Sequence, residues 1–273
     1  MQANRAWIAP VGPLGRLSAA AAVRAQDLQK QSADLRGRAS DVPSGPSFGA
    51  ALRRTDVAVI AEVKRRSPSK GMINPGLNAA EQAAAYARGG AAALSILTEP
   101  TEFGGAVQDL RDAREATSLP TLKKDFHVHP VQVLEARAAG ASAMLLIARA
   151  LPPDDLTAMA DRALELGVEV LVEIRSEEEL ERGLAIRHAV IGVNSRDLET
   201  LVIDSAVAAR LIPLIPADRL AIAESGVSGR YDVERAAVVG ADAVLVGSTV
   251  SAASDPTAAV AALTGVARIL RGG

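Results

Sequence analysis

One pattern recurs along most of this chain, and it limits the fold more than any other feature. From residue 57 onward a short apolar run is followed by a polar turn and then an Ala-rich helical stretch. The apolar runs are 57–61, 92–97, 120–122, 143–147, 168–172, 189–193, 220–223 and 243–246, eight in all. They are short, partly β-branched and apolar on both faces, as strands of a parallel sheet covered on both sides are. The intervening stretches 79–88, 131–139, 154–166 and 176–183 read as helices. The third opens with Asp154 and Asp155, acids suited to a helix N-terminus, and the fourth with Ser176 and Glu179 in capping-box spacing. Gly89, Gly140, Gly167, Gly183 and Gly240 stand where these helices should stop.

Eight strand–helix units in one chain of 273 residues predict a TIM (β/α)8 barrel, a fold that typically takes ~250 residues. An open doubly wound sheet is the competitor, but no strand leads into a Gly-x-Gly-x-x-Gly turn. Residues 51–273 are assigned to the barrel and residues 1–50 to an N-terminal extension. That extension should hold one helix, near 18–35, followed by a linker at 41–47. Trp7 is expected to pack within the tail.

Composition excludes several functions. The chain has no cysteine, which removes disulfides, thiolate catalysis and cysteine–zinc sites. Thirty Lys and Arg against 32 Asp and Glu leave a net charge of −2, with no general field for nucleic acid or an anionic membrane. Aromatics are 2%, too few for a base-stacking surface. No apolar run approaches the ~20 residues that span a bilayer, and the first residues do not read as a secretory signal. The cytoplasm is the expected compartment. His127, His129 and His188 have no zinc-site spacing and are read as surface residues; no metal or cofactor is expected.

Active sites of such barrels lie at the C-terminal ends of the strands. The first strand ends with Glu62 and Lys64, which share a face by the two-residue period of strands. An acid and an ammonium at a barrel mouth can move protons, each tuning the other; a structural ion pair is the bland reading. The third strand ends Lys123-Lys124. Lys124 has the parity of Leu122 and should enter the interior, whereas Lys123 is read as a snorkelling or solvated residue. Glu173 ends the fifth strand as a second candidate base, or as a partner of Lys124. Asn194 and Arg196 follow the sixth on one face, suited to a hydroxyl and a carboxylate; Asp197 beside them is read as a loop-fixing residue. Glu224-Ser225-Gly226 follows the seventh, and Gly247-Ser248 the eighth. Small residues in these two loops fit the phosphate site many barrels carry there. The run Lys64-Arg65-Arg66 is read as partly a solvated face.

The blocks IAEVKRRSPSKG, LTEPTEFGG, LKKDF, VLVEI, IGVNSRDL, IAESGV and VLVGS follow one another in this order. In that series the chain, from Phe48 to its end, resembles indole-3-glycerol-phosphate synthase. The resemblance implies a carbon–carbon lyase (a carboxy-lyase) of tryptophan biosynthesis. Such an enzyme converts 1-(2-carboxyphenylamino)-1-deoxyribulose 5-phosphate to indole-3-glycerol phosphate, carbon dioxide and water. It further implies that Lys124 is a general acid for ring closure, and that Lys64 pairs with the substrate carboxylate and supplies acid for dehydration. Glu173 then supports closure or acts as base, and Glu62 removes a proton. Asn194, Arg196, Glu224, Ser225 and Phe126 bind the substrate, and Ser67, Gly226, Gly247 and Ser248 hold its phosphate. A monomer or weak homodimer is expected, with a phosphorylated small molecule as its only partner.

Ser195, Glu99, Ala106, Val131 and the His127–His129 stretch depart from the family's usual residues. The alternatives are another phosphate-binding barrel such as phosphoribosylanthranilate isomerase, which favours a Cys and Asp pair, and a non-catalytic ligand-binding relative.

Overall fold

The computed structural model describes residues 8–272. Eight strands, β1 (Ala58–Val63), β2 (Ala93–Leu97), β3 (Thr121–Lys124), β4 (Ala143–Ile147), β5 (Glu169–Ile174), β6 (Val190–Asn194), β7 (Ala221–Glu224) and β8 (Ala243–Val246), form one closed barrel. Every neighbouring pair is parallel, and β8 closes on β1 in the register Ala61↔Val246. The eight runs marked in the sequence are these strands, each displaced by at most two residues. Among the described residues, no helix is long and apolar enough to cross a membrane.

The strands are apolar on both faces because the barrel has two cores. Ala58, Ile60, Leu122, Leu145, Leu171, Ile222 and Leu245 point inward and fill the barrel. Val59, Ala61, Ile96, Met144, Leu146, Val172, Ile191 and Val244 point outward under the helices. Alternation along each strand therefore decides which polar residues reach the mouth. Continuing the inward parity past the last apolar layer gives Glu62 and Lys64 on β1, Lys124 on β3, Glu173 on β5, Asn194 on β6 and Glu224 on β7.

The extension contains more helix than expected. Where the sequence suggested one helix over 18–35, the chain forms α1 (Gly12–Lys30) and α2 (Ser32–Asp41), with a short α3 (Phe48–Leu52) before β1. The break at Gln31 has a reason in packing. Leu14, Leu17 and Ala21 of α1 join the interior core at the barrel mouth. Leu35 and Ala39 of α2 pack instead beside Val131, Leu134 and Ala138, which belong to α6 (Val131–Ala138). A straight helix could not serve both surfaces. Trp7 lies outside the described residues.

The remaining helices are α4 (Ala79–Arg88), α5 (Val107–Ala116), α7 (Pro153–Glu165), α8 (Glu177–Ala185), α9 (Ala206–Leu211), α10 (Arg230–Val238), α11 (Ser248–Ser251) and α12 (Pro256–Ala261). Gly140, Gly167 and Gly240 have φ of +80°, +71° and +87° and end their helices as expected. α4 stops at Gly89 as expected, and Gly90, at φ +89°, makes the turn that follows. One glycine corrects the expectation. Gly183 lies within α8, where a Cβ would stand 3.2 Å from Ile191 Cδ1. Its small size lets the helix sit close on the barrel.

Candidate active site

The strand ends and loops enclose a cavity of about 340 Å³. Glu62, Lys64, Ser67, Lys124, Phe126, Glu173, Asn194, Arg196, Glu224, Ser225, Gly226, Gly247 and Ser248 all line it. Residues separated by up to 186 positions in sequence thus face one space (62 to 248).

At its floor lies a network of two ammonium groups and three carboxyl groups. Lys64 Nζ is 2.8 Å from Glu62 Oε1. Lys124 Nζ lies 3.3 Å from Glu173 Oε2 and 3.4 Å from Glu224 Oε2. Ser95 Oγ donates to Glu62 Oε2 at 3.2 Å. Burial opposes ionisation of Glu62, but Lys64 and Lys124 outweigh it and hold its carboxyl below the usual range. Burial likewise works against the charge on Lys124, and Glu173, Glu224 and Glu62 together reverse that and raise its pKa. Glu224 is pushed up to about 8, by burial first; Glu173 and Glu62 add to the rise and Lys124 opposes it. At neutral pH the floor therefore holds a committed carboxylate at Glu62 and a charged ammonium at Lys124, while burial biases Glu224 toward its protonated form.

Two glycines make room for this network. A Cβ on Gly247 would stand 2.4 Å from Glu62 Oε1 and 2.6 Å from Lys64 Nζ. A Cβ on Gly192 would stand 2.0 Å from Glu224 Oε1. The sequence marks Gly247 for a backbone approach to phosphate, and the ion pair beside it also occupies the space a Cβ would take.

One wall is apolar: Leu17 of α1, Leu97, Phe103, Phe126, Leu145 and Ile147. The Phe103 and Phe126 rings are tilted against each other, 6.3 Å between centroids. The opposite rim consists of the loops after β7 and β8. Ser225 and Gly226 take φ of +65° and +84° in succession. A left-handed serine costs on the order of 1–3 kcal/mol and persists where the surrounding structure imposes it, commonly at ligand sites. After β1, Ser67 closes a tight turn by accepting Lys70 N–H at 3.2 Å, within a small hairpin of Arg66–Ser67 and Gly71–Met72. After β6, Asn194 Oδ1 accepts the Arg196 N–H at 2.9 Å, and Arg196 Nη1 donates to Leu201 O at 3.0 Å. Asp197 takes the N–H groups of Glu199 and Thr200 at 2.7 and 3.0 Å, the loop-fixing part expected of it.

The family model for indole-3-glycerol phosphate synthase matches residues 17–263. This chain belongs to that family. An indole-3-glycerol phosphate synthase of a Nocardioides strain is 49% identical over 234 residues, 86% of this chain and 90% of that one. Those of Opitutus terrae and Mycolicibacterium smegmatis are 50% and 46% identical, over 80% and 84% of this chain and 85% of each relative. Two solved structures share the barrel alone. Thiamine phosphate pyrophosphorylase of Pyrococcus furiosus has a TM-score of 0.57 at 16% identity, over 78% of this chain and 95% of its own. KGPDC of Streptococcus mutans has 0.58 at 13%, over 76% and 95%.

The positions that the sequence reading set apart from the family's pattern lie outside the cavity lining. Glu99 is fully buried, and its carboxylate accepts the N–H groups of Thr101, Glu102 and Phe103 at 2.9, 2.6 and 3.0 Å. It therefore shapes the loop that carries the Phe103 ring. Ala106 precedes α5 without a side-chain cap, and Asp109 takes the Ala106 N–H instead, at 2.9 Å. Ser195 is buried, and its N–H donates to Glu224 O at 3.0 Å. Val131 begins α6 and joins the small core shared with α2.

Two sequence readings need correction. Lys123 is wholly buried, neither snorkelling nor solvated. Its Nζ lies 3.0 Å from Glu135 Oε2, 3.4 Å from Asp125 Oδ2 and 3.2 Å from His127 Nε2, so its three N–H groups are all used. His127 is buried, not a surface residue. Its Nδ1 meets Leu145 O at 2.6 Å, which places the proton on Nδ1 and leaves Nε2 to accept from Lys123. Burial and the Lys123 charge push this imidazole down to about 3, so it is neutral. Arg65, in the run read as partly solvated, is half-buried, and its guanidinium holds Asp109 Oδ1 at 2.8 Å and Leu77 O at 3.1 Å. Sequence reasoning also missed Arg24 of α1, which reaches Asp125 Oδ1 at 2.6 Å and Glu99 Oε1 at 3.5 Å. The isolated charge among Ala-rich helical residues was its only signal.

Proposed function

We propose that this chain closes the pyrrole ring of indole. It acts on 1-(2-carboxyphenylamino)-1-deoxyribulose 5-phosphate and yields indole-3-glycerol phosphate, carbon dioxide and water. The observation that carries this reading is the seat of Lys124. Its ammonium stands between Glu173 and Glu224, in one cavity with the Lys64–Glu62 pair. Ring closure places growing negative charge on the substrate's ketone oxygen as the ring carbon bearing the carboxylate attacks. Lys124 donates the proton that turns this oxygen into a hydroxyl. Its raised pKa keeps it charged until the developing alkoxide draws the proton away.

Lys64 pairs with the substrate carboxylate before that group leaves as carbon dioxide and the ring electrons return. It then supplies acid for expulsion of the hydroxyl as water, while Glu62 or Glu173 removes the proton from the adjacent carbon. Glu62 is suited to this because Lys64 and Lys124 keep it ionised against its burial. Glu224, whose burial favours the protonated form, hydrogen-bonds a substrate hydroxyl, with Asn194, Arg196 and Ser225 fixing the chain around it. Ser67, Gly226, Gly247 and Ser248 hold the phosphate at the opposite rim, and Phe126 with Phe103 covers the aromatic ring. Binding energy at the phosphate end orients the reacting end.

Residues 1–50 are an extension from which Leu17 and Pro13 cover the mouth. The expected assembly is a monomer or weak homodimer. The test is formation of fluorescent indole product from the carboxyphenylamino substrate. Turnover lost in Lys124→Ala, with substrate binding retained, supports the reading. A wild-type chain that binds phosphate ligands without turnover would instead be a ligand-binding relative. Turnover of phosphoribosylanthranilate alone would make it an isomerase.

A further inference from the structure

The end of β1 carries Glu62 and Lys64 but has lost its partner on one side. Even-numbered backbone groups of β1 face β8, as Ala58 N–H shows by donating to Asp242 O at 3.0 Å. The β1–β8 register stops at Ala61↔Val246, because the chain then turns at Gly247 into α11. In a parallel ladder the next β8 residue would give its N–H to Glu62 O and take the N–H of Lys64. No backbone remains there to do so.

Ser251, at the far end of α11, occupies that place with its side chain. Its Oγ donates to Glu62 O at 2.7 Å and accepts the Lys64 N–H at 3.2 Å. One hydroxyl does both because it has one donor and two lone pairs. The serine is fully buried. Tyr86 O–H points at the same Glu62 O, 3.1 Å away, and at Ser251 Oγ, 3.2 Å away, and itself accepts from Gln82 Nε2 at 2.9 Å. The Ser251 carbonyl takes Asn74 Nδ2 at 3.1 Å, which ties in the loop after β1.

We propose that Ser251 is a positioning residue for the Glu62–Lys64 pair. Its hydroxyl extends the barrel ladder by one rung where β8 has ended. It thereby fixes the two backbone units from which these side chains leave, relative to Gly247 and Ser248 on the same short segment. Phosphate held by that segment and the acid–base pair on β1 are then parts of one rigid piece. Misplacement by about 1 Å can cost on the order of 10²-fold in rate, so one hydroxyl here has leverage on catalysis without touching substrate. This inference rests on the roles proposed above for Glu62 and Lys64.

The experiment compares wild type, Ser251→Ala, Tyr86→Phe and Lys64→Ala in the indole-forming assay. Inorganic phosphate serves as the competing probe of the phosphate site, and circular dichroism confirms folding. Ser251→Ala is expected to lose kcat about tenfold or more while the phosphate inhibition constant stays within about twofold. Tyr86→Phe, which leaves the acceptor of Lys64 N–H in place, is expected to keep kcat within about threefold. A folded Ser251→Ala with wild-type kcat overturns the proposal. So does an equal loss in Tyr86→Phe, which would make the cluster mere polar packing. Should Ser251→Ala aggregate, Ser251→Cys, a weak donor and acceptor of similar size, is read against the same limits. A wild type without product, or Lys64→Ala at full kcat, would instead overturn the reading of the site itself.

Discussion

Glu224 is seated against the bare Cα of Gly192, so closely that a Cβ there would stand 2.0 Å from Glu224 Oε1. The same carboxyl places Oε2 3.4 Å from Lys124 Nζ. Gly192→Ala should therefore push Glu224 toward Lys124 or out of the floor. Overpacking of this kind costs about 1–3 kcal/mol. If half of that appears in the transition state, kcat falls about two- to tenfold, since 1.36 kcal/mol is a factor of ten. Steady-state kinetics and a thermal melt of Gly192→Ala check this, and unchanged values for both contradict it.

The raised pKa of Glu224 makes a signed prediction for stability. Its carboxyl titrates at about 8 in the folded chain against 4.5 ordinarily, so the folded state holds the proton more tightly. The stabilisation from that proton is complete below about 4.5 and is lost as the pH rises to about 8. The Tm of wild type relative to Glu224→Gln should therefore fall between about pH 5 and pH 8 and then level off. A difference that grows with pH over that range contradicts the assignment.

The barrel was legible because parity is a local property. Once eight apolar runs are marked, the two-residue period sends Glu62, Lys64, Lys124, Glu173, Asn194 and Glu224 to the same mouth without any knowledge of long-range contacts. The residues that were misread depend on partners far away in sequence or across a turn. Lys123 is buried only because Glu135, Asp125 and His127 arrive around it, and His127 only because Leu145 presents a carbonyl. Arg24 and Ser251 act on groups 101 and 189 positions away, and their immediate neighbours do not reveal those partners. The break of the first helix at Gln31 likewise follows from two packing surfaces rather than from propensity.

Arg24 links α1 to the strand end that carries Lys124. Its guanidinium donates to Asp125 Oδ1, which also accepts the Phe126 N–H at 2.8 Å. Arg24→Ala should loosen α1 over the mouth and raise KM more than it lowers kcat. Losing a hydrogen bond to a charged group costs about 1.5–3 kcal/mol, which sets the rise in KM at about tenfold or more. Steady-state kinetics read the split, and a loss confined to kcat contradicts it.

Lys123→Met removes the cation from a buried cluster and leaves Asp125 and Glu135 facing each other. Breaking a buried ion pair from one side typically costs about 3–5 kcal/mol. Urea unfolding should register a loss of that order, whereas Lys70→Met, on the exposed turn after β1, should change stability by less than about 0.5 kcal/mol. Equal effects from the two substitutions contradict the burial of Lys123.

The central claim is that substrate lies across one cavity, with phosphate at the loops after β7 and β8 and its reacting carbons over the two lysines. A crystal structure with indole-3-glycerol phosphate bound tests this most directly. Phosphate oxygens are expected within hydrogen-bond reach of Ser67, Gly226, Gly247 and Ser248, the indole ring against Phe126, and Lys124 Nζ facing the newly joined ring carbon. Product bound with its phosphate on any other loops, or with both lysines turned away from the ring, would contradict it.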